Sequence, residues 1–362
     1  RGLRSYRAGY LRPPEESRFF RRHKKESPYR RQEEKSVTGG AGKRHADCYF
    51  CGPGGYLFSD WKLTDTGVRA RMKIERRHEG WPDIPHGGVG MTSIIELADL
   101  ADPSLFDQEW RAEFRFGGDR LGVGDDVTVE ILGADGTWEG SMYRQGGGHP
   151  YLRASVRRDT GGIAESERGM MEGLLSEPVK TESSFTIPVF SDKIIFRERF
   201  QSRHTRRVFE FRETKAGRIY TECLHEGESG SMQCTEMNTI SPSRVHPGSI
   251  IAIIDETLAW AGFLTVWQGG VTVDLSVHFA GPIFLDDRIF SVGFCSGVKG
   301  KHRRKIVSCG GGVFAVRGSR YVPIVTATGR WLTDPEYKEK MLGYIVPEAL
   351  SLISEVHRKL KS

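Results

Sequence analysis

Asp255 and Glu256 interrupt an otherwise apolar stretch, IIAIIDETLAWA over Ile250–Ala261. A charged side chain midway along such a run is costly unless it is paired or does chemistry. Asp255 is therefore either bonded to backbone or to a buried arginine, or it is a carboxylate that attacks or activates water. A second feature is Gly87-Gly88, directly after His86 and opening another apolar run. Helix N-termini gather unpaired N–H groups and the positive end of the dipole, and glycines let a carbonyl approach that backbone closely. Such a turn stabilises an oxyanion, or it uses glycine for conformation alone. His86 orders the turn or touches a substrate. The charged run from Lys299 to Lys305 reads as a solvated hairpin tip or as a contact for an anionic ligand, with Lys301, Arg303 and Arg304 as its candidates. Thr272, on the adjoining strand pattern, is the remaining candidate for substrate contact.

Metal chemistry finds little support. Of the six cysteines, only Cys48 and Cys51 have ligand-like spacing, and no second pair or HxxxH completes a site. They read as a reduced structural pair, and no cofactor or metal is expected.

The elements that must position these residues occur twice. Residues 61–100 and 209–260 each give a short strand, a Gly turn (Gly67, Gly217), an alternating strand, a His-x-Gly turn (His86, His246) and an apolar helix. Strand patterns follow each helix: Glu109–Phe116, Asp126–Leu132, Trp138–Arg144 and Tyr151–Arg157, then Val271–Phe279, Arg288–Phe294, Lys305–Phe314 and Tyr321–Trp331. Strict alternation would put Val271, Val273, Leu275, Val277 and Phe279 on one face. The order of two strands, one helix and four strands predicts an α+β domain, an antiparallel sheet wrapped around one central helix, in two fused copies. The expected division is a basic tail at 1–45, domain 1 at 46–165, a linker at 166–190, domain 2 at 191–333 and a C-terminal helix at 334–362, started by Thr333-Asp334-Pro335-Glu336.

Length and composition agree: 362 residues suit two domains, 38% hydrophobic residues supply cores, and 44 glycines fit a turn-rich β protein. The net charge of +6 is misleading, because residues 1–45 hold 14 Lys/Arg and 5 Asp/Glu (+9), leaving −3 for the rest. The tail reads as a solvated leader, with a basic arm for nucleic acid, an anionic membrane or an organelle address as the alternative. No 18-residue apolar run announces a membrane span. A cytoplasmic setting is expected, with nucleic acid not expected as a partner.

The stretches CYFCGPGG, EGWPDIPHGGV, VHPGSIIAIIDETLAWAGF, VTVDLSVHFAGPI and TATGRWL resemble the PaaI-like hotdog-fold acyl-CoA thioesterases, here as a tandem double hotdog. The resemblance implies dimers or tandem chains, further pairing of such units as homo-oligomers, an acyl-CoA or other acyl-thioester substrate, and sites that join one half's helix N-terminus to the other half's acid. In the family pattern that acid lies nine residues after the motif histidine. Nine residues beyond His246 is Asp255, whereas nine beyond His86 is Ile95, with Glu96 rotated about 100° away. The resemblance thus implies one intact site (His86, Gly87, Gly88, Asp255) and one degraded site (Pro247, Gly248, Ile95). Glu256 is expected to face the other half or solvent. An acyl-thioester hydratase, whose GD-x-NP-x-H run is not found here, and a non-catalytic acyl-CoA binder are the alternatives.

Overall fold

Two helices that are apolar on every side dictate the architecture, because each needs cover all round. They are α1 (Gly87–Ala101), buried from Gly88 to Leu100, and α3 (Pro247–Val266), buried from Pro247 to Leu264. Between them lies α2 (Glu165–Ser176). The structure is a computed structural model and describes residues 50–51, 57–134, 136–178, 180, 185–188, 207–216, 218–225, 232–233, 239–241, 243–300, 303–317 and 320–338. The tail at 1–45, most of the C-terminal helix, and Gly217, Cys48, Cys234, Lys301 and His302 lie outside the described residues.

The cover is one antiparallel sheet. Its strands are β1 (Asp60–Thr64), β2 (Gly67–Lys73), β3 (Trp110–Phe116), β4 (Asp126–Ala134), β5 (Thr137–Arg144), β6 (Leu152–Arg158), β7 (Phe185–Pro188), β8 (Arg207–Glu213), β9 (Ile219–His225), β10 (Gly270–Phe279), β11 (Arg288–Lys299), β12 (Lys305–Arg317) and β13 (Arg320–Thr333). The strand order is β1-β2-β4-β5-β6-β3-β10-β13-β12-β11-β9-β8-β7, with Met232–Gln233 pairing β11. Read outward from the β3–β10 seam, the two halves repeat one order: the first strand after the helix, the last, the two between, then the pair that precedes the helix. Each half is thus a hotdog, a sheet curled around its own helix, and the halves share a continuous sheet. The seam runs from Asp274 opposite Arg115 to Phe279 opposite Trp110, where the two rings stack at 4.2 Å and 13°. On the inner side of the sheet, α1 packs against α3.

Three details depart from expectation. Residues 166–190 carry α2 and β7, and Met171 and Leu174 of α2 bury against Phe290, Phe294 and Phe314. By length and composition α3 is apolar enough to cross a membrane, although Asp255-Glu256 interrupts its apolar run; here it is the core helix of the second half. The alternation in β10 also breaks. Thr272 pairs Trp331 but Asp274 pairs Arg330, a bulge that leaves Val273 extra. Such a bulge re-aims a side chain, and it turns Thr272 toward α3.

Candidate active site

Each helix begins with a histidine cap. His86 precedes α1 in extended conformation and its Nδ1 accepts the Gly88 amide at 2.8 Å; His246 does the same for Gly248 at 3.0 Å. A ring nitrogen that accepts carries no hydrogen, so in the capping state both imidazoles hold theirs on Nε2. In each half this edge faces a glutamate from the other half's helix. His86 Nε2 lies 3.2 Å from Glu256 Oε1, and His246 Nε2 lies 2.5 Å from Glu96 Oε2. Glu256 therefore faces the other half, one of its two expected positions, and against expectation it also lines the cavity at Asp255.

The cap corrects one expectation. Gly88 is not available as an oxyanion donor, because its amide is committed to His86. The first helical position has no intrahelical acceptor, which leaves the Gly87 N–H at the open end of α1. Across from it stands Asp255. A Cβ built on Gly87 would lie 3.0 Å from Asp255 Oδ2 and 3.0 Å from Thr272 Oγ1, so the backbone, the carboxylate and the hydroxyl converge on one point.

Asp255 is 3% exposed. Its Oδ1 accepts from Thr272 Oγ1 at 2.9 Å and from Trp331 Nε1 at 3.3 Å. Its Oδ2 lies toward Gly87 and is 4.0 Å from His86 Nδ1. Among the described residues no buried arginine pairs with it. Burial pushes its pKa above the ordinary carboxylate value; His86, when charged, and the hydrogen bonds from Thr272 and Trp331 work against the shift, and neighbouring Glu256 adds to it.

These groups border a cavity of about 680 Å³, a volume that suits a small-molecule ligand. Its walls include Trp81, Phe116, Tyr151, Trp260, Phe263 and Trp331. Burial raises the pKa of the Tyr151 hydroxyl, so it stays protonated as a donor near Asp255. Of the basic run, Arg304 lines the cavity and pairs with Asp334 at 2.6 Å, while Arg303 is exposed nearby. Arg120 lines the cavity too. Sequence reasoning missed Tyr151, Trp331 and Arg120. Trp331 stood within the quoted TATGRWL, and its pairing with Thr272 across β10–β13 is the signal that links it to Asp255.

The pseudo-equivalent position in the second half keeps the histidine cap but lacks the donor and the acid. Pro247 has no N–H, Gly248's amide is taken by His246, and the opposing position on α1 is Ile95. A Cβ on Gly248 would lie 2.3 Å from Thr92 Cγ2, and Phe50 packs on the His246 ring at 4.3 Å. This end offers neither an N1 donor nor an acid.

No protein-family model matches the chain, and no curated protein matches it. Among solved structures, it is similar to a putative thioesterase from Novosphingobium aromaticivorans (12% identity, TM-score 0.45, covering 76% of this chain and 99% of that one). It is similar to the tesB protein of Mycobacterium avium subs. paratuberculosis (13%, 0.46, 76% and 96%) and to the dehydratase domain of PpsC from Mycobacterium tuberculosis (13%, 0.45, 76% and 98%). At these identities and scores the likeness assigns neither activity.

Proposed function

We propose that the chain hydrolyses an acyl thioester, with acyl-CoA as the first substrate to test, releasing the free acid and the thiol at a single site between its halves. The observation that carries the reading is Asp255 Oδ2 standing beside Gly87, at the start of α1, on the wall of a ligand-sized cavity. With Oδ1 held by Thr272 and Trp331, Oδ2 is the oxygen that takes a proton from an attacking water or attacks the carbonyl itself. The Gly87 N–H and the positive end of α1 stabilise the oxyanion as it develops. Collapse expels the thiolate, which takes the proton that Oδ2 accepted from water; on the direct-attack route water then opens the Asp255 anhydride, giving the free acid, the restored carboxylate and a proton for the thiolate. His86 acts on this site by fixing the turn that presents Gly87. The test is free-thiol release from short, long and aromatic acyl-CoAs, compared between wild type and Asp255→Asn. Release that collapses in the variant supports the reading; release that persists undiminished sinks it.

Two further outcomes follow from the geometry. Gly87→Ala places a methyl between Oδ2 and the hydroxyl of Thr272, at 3.0 Å from each. It is expected to lower kcat by about 10²-fold or more and, by overpacking, to cost about 1–3 kcal/mol of stability; an unaffected kcat removes Gly87 from the site. Thr272→Val deletes a hydrogen bond that lowers the pKa of Asp255. Turnover that needs the ionised carboxylate rises with pH through that pKa, so the variant's acidic limb moves to higher pH. An unmoved limb in the pH–rate profile means that another group is titrating.

A hydratase reading has one observation behind it, the 4.0 Å approach of His86 Nδ1 to Asp255 Oδ2, which resembles an acid–base pair. Against it, that nitrogen is occupied by the Gly88 amide. Water addition to an enoyl thioester without thiol release would favour it.

A further inference from the structure

Strands β11 and β12 place Cys295 directly opposite Cys309. Opposed residues of an antiparallel pair have Cα atoms about 4.5 or about 5.5 Å apart and side chains on one face. Both spacings lie within the window of roughly 4.4–6.8 Å that a disulfide spans, so the Cα separation permits a bond between them, and the bulge beside Cys295 gives the strand room to adjust. Both thiols are free, and their surroundings are unequal. Cys309 is 2% exposed and turned to the helix side of the sheet, where a Cβ on Gly262 of α3 would lie 2.9 Å from its Sγ. Cys295 shares that face at the last turn of α3, is half-buried, and sits at a bulge with its Sγ 3.6 Å from Gly297 O.

We propose that Cys295 and Cys309 form a reversible oxidation site, which hydrogen peroxide closes into a cross-strand disulfide and a small thiol reopens. The hydrogen bond from Cys309 lowers the Cys295 thiol to about 7, while burial pushes Cys309 well above the usual thiol value. A low-pKa, accessible cysteine beside a second, protonated one has the division of labour of a reacting and a resolving thiol. The Cys295 thiolate attacks one peroxide oxygen, the O–O bond breaks, and the departing hydroxide takes the proton that Cys295 had lost, leaving a sulfenic acid and water. The Cys309 sulfur then attacks the Cys295 sulfur, the S–O bond breaks, and hydroxide leaves with the Cys309 proton as a second water. Two thiols lose two electrons and one peroxide gains them. The product ties together the strands of the hairpin that brings Arg304 to the cavity.

The experiment treats the full native chain with hydrogen peroxide, alkylates the remaining thiols and maps peptides without reduction. The expected result is a Cys295–Cys309 cross-link that dithiothreitol converts back to two alkylatable cysteines. In Cys309→Ser the cross-link is lost and Cys295 is captured as a sulfenic acid by dimedone. In the untreated wild type, the alkylation rate of Cys295 rises through a pH of about 7. Because the mapping is done on wild type, a variant that fails to fold does not block the test. The proposal is overturned if both cysteines remain alkylatable after peroxide, or if either is found joined to Cys48, Cys51, Cys223 or Cys234 instead.

Discussion

Asparagine at position 255 is expected to lower thioester turnover by about 10²–10⁴-fold, the range for losing a positioned proton acceptor, and to make the folded chain more stable at neutral pH. The two effects have one cause. Asp255 is held in a buried place that favours its neutral form, and its pKa lies above the ordinary 3.8. The folded chain then binds this proton more tightly than the unfolded one, so stability falls as pH rises from 3.8 through the folded value. The cost is fully present above that value and absent well below 3.8. Asparagine has no charge to desolvate, and its carbonyl still accepts from Thr272 and Trp331. The gain from such a replacement is about 0.5–2 kcal/mol, read as a higher thermal midpoint at neutral pH that converges with wild type in acid. A variant less stable than wild type at neutral pH would show that the carboxylate is structural, the alternative left open by the sequence.

Glu96→Ala carries the largest expected effect on stability. Glu96 and His246 are both fully buried, with Nε2 and Oε2 2.5 Å apart. The His246 Nδ1 accepts from Gly248, so Nε2 donates to the carboxylate, a charge-assisted bond without water to replace it. The change leaves the Nε2–H of a neutral imidazole buried without this acceptor, which costs about 1–3 kcal/mol, and the void left by the side chain adds to it. At roughly 2–4 °C per kcal/mol the melting transition falls by about 5–10 °C. The variant's kcat, measured below that transition, is expected to stay within about twofold of wild type, the ordinary scatter for a site more than one helical turn from the chemistry. A kcat that falls with Glu96 while the melting point holds would instead make it a stand-in for the missing acid at Ile95.

Much of the fold was legible because its signals are local and repeated. β5 (Thr137–Arg144) was read as Trp138–Arg144 and β4 (Asp126–Ala134) as Asp126–Leu132, since alternation with turn glycines on either side marks a half-buried strand. Asp255 was legible because a carboxylate inside an apolar helix demands a reason. Other features depend on what folds against what. Thr272 reaches Asp255 only through the bulge at Val273, which no alternation rule anticipates. Gly88 looks like a donor until the histidine before it turns back to claim its amide. Glu96, rotated about 100° from Ile95, reads as a poor substitute for a missing acid, whereas it bonds the capping histidine of the opposite half. Tyr151 and Arg120 face the cavity from separate elements of the first half, so nothing in their local sequence announces them.

The seam between β3 and β10 has a consequence for how the protein behaves on dilution. A site shared by two separate chains exists only while they remain associated. Here Gly87 and Asp255 belong to one polypeptide, on two helices covered by one continuous sheet, so each is present to the other at the effective concentration of a tether, independent of how many copies are in solution. The proposed site is therefore complete within one folded polypeptide, and its activity per chain is expected to hold on dilution.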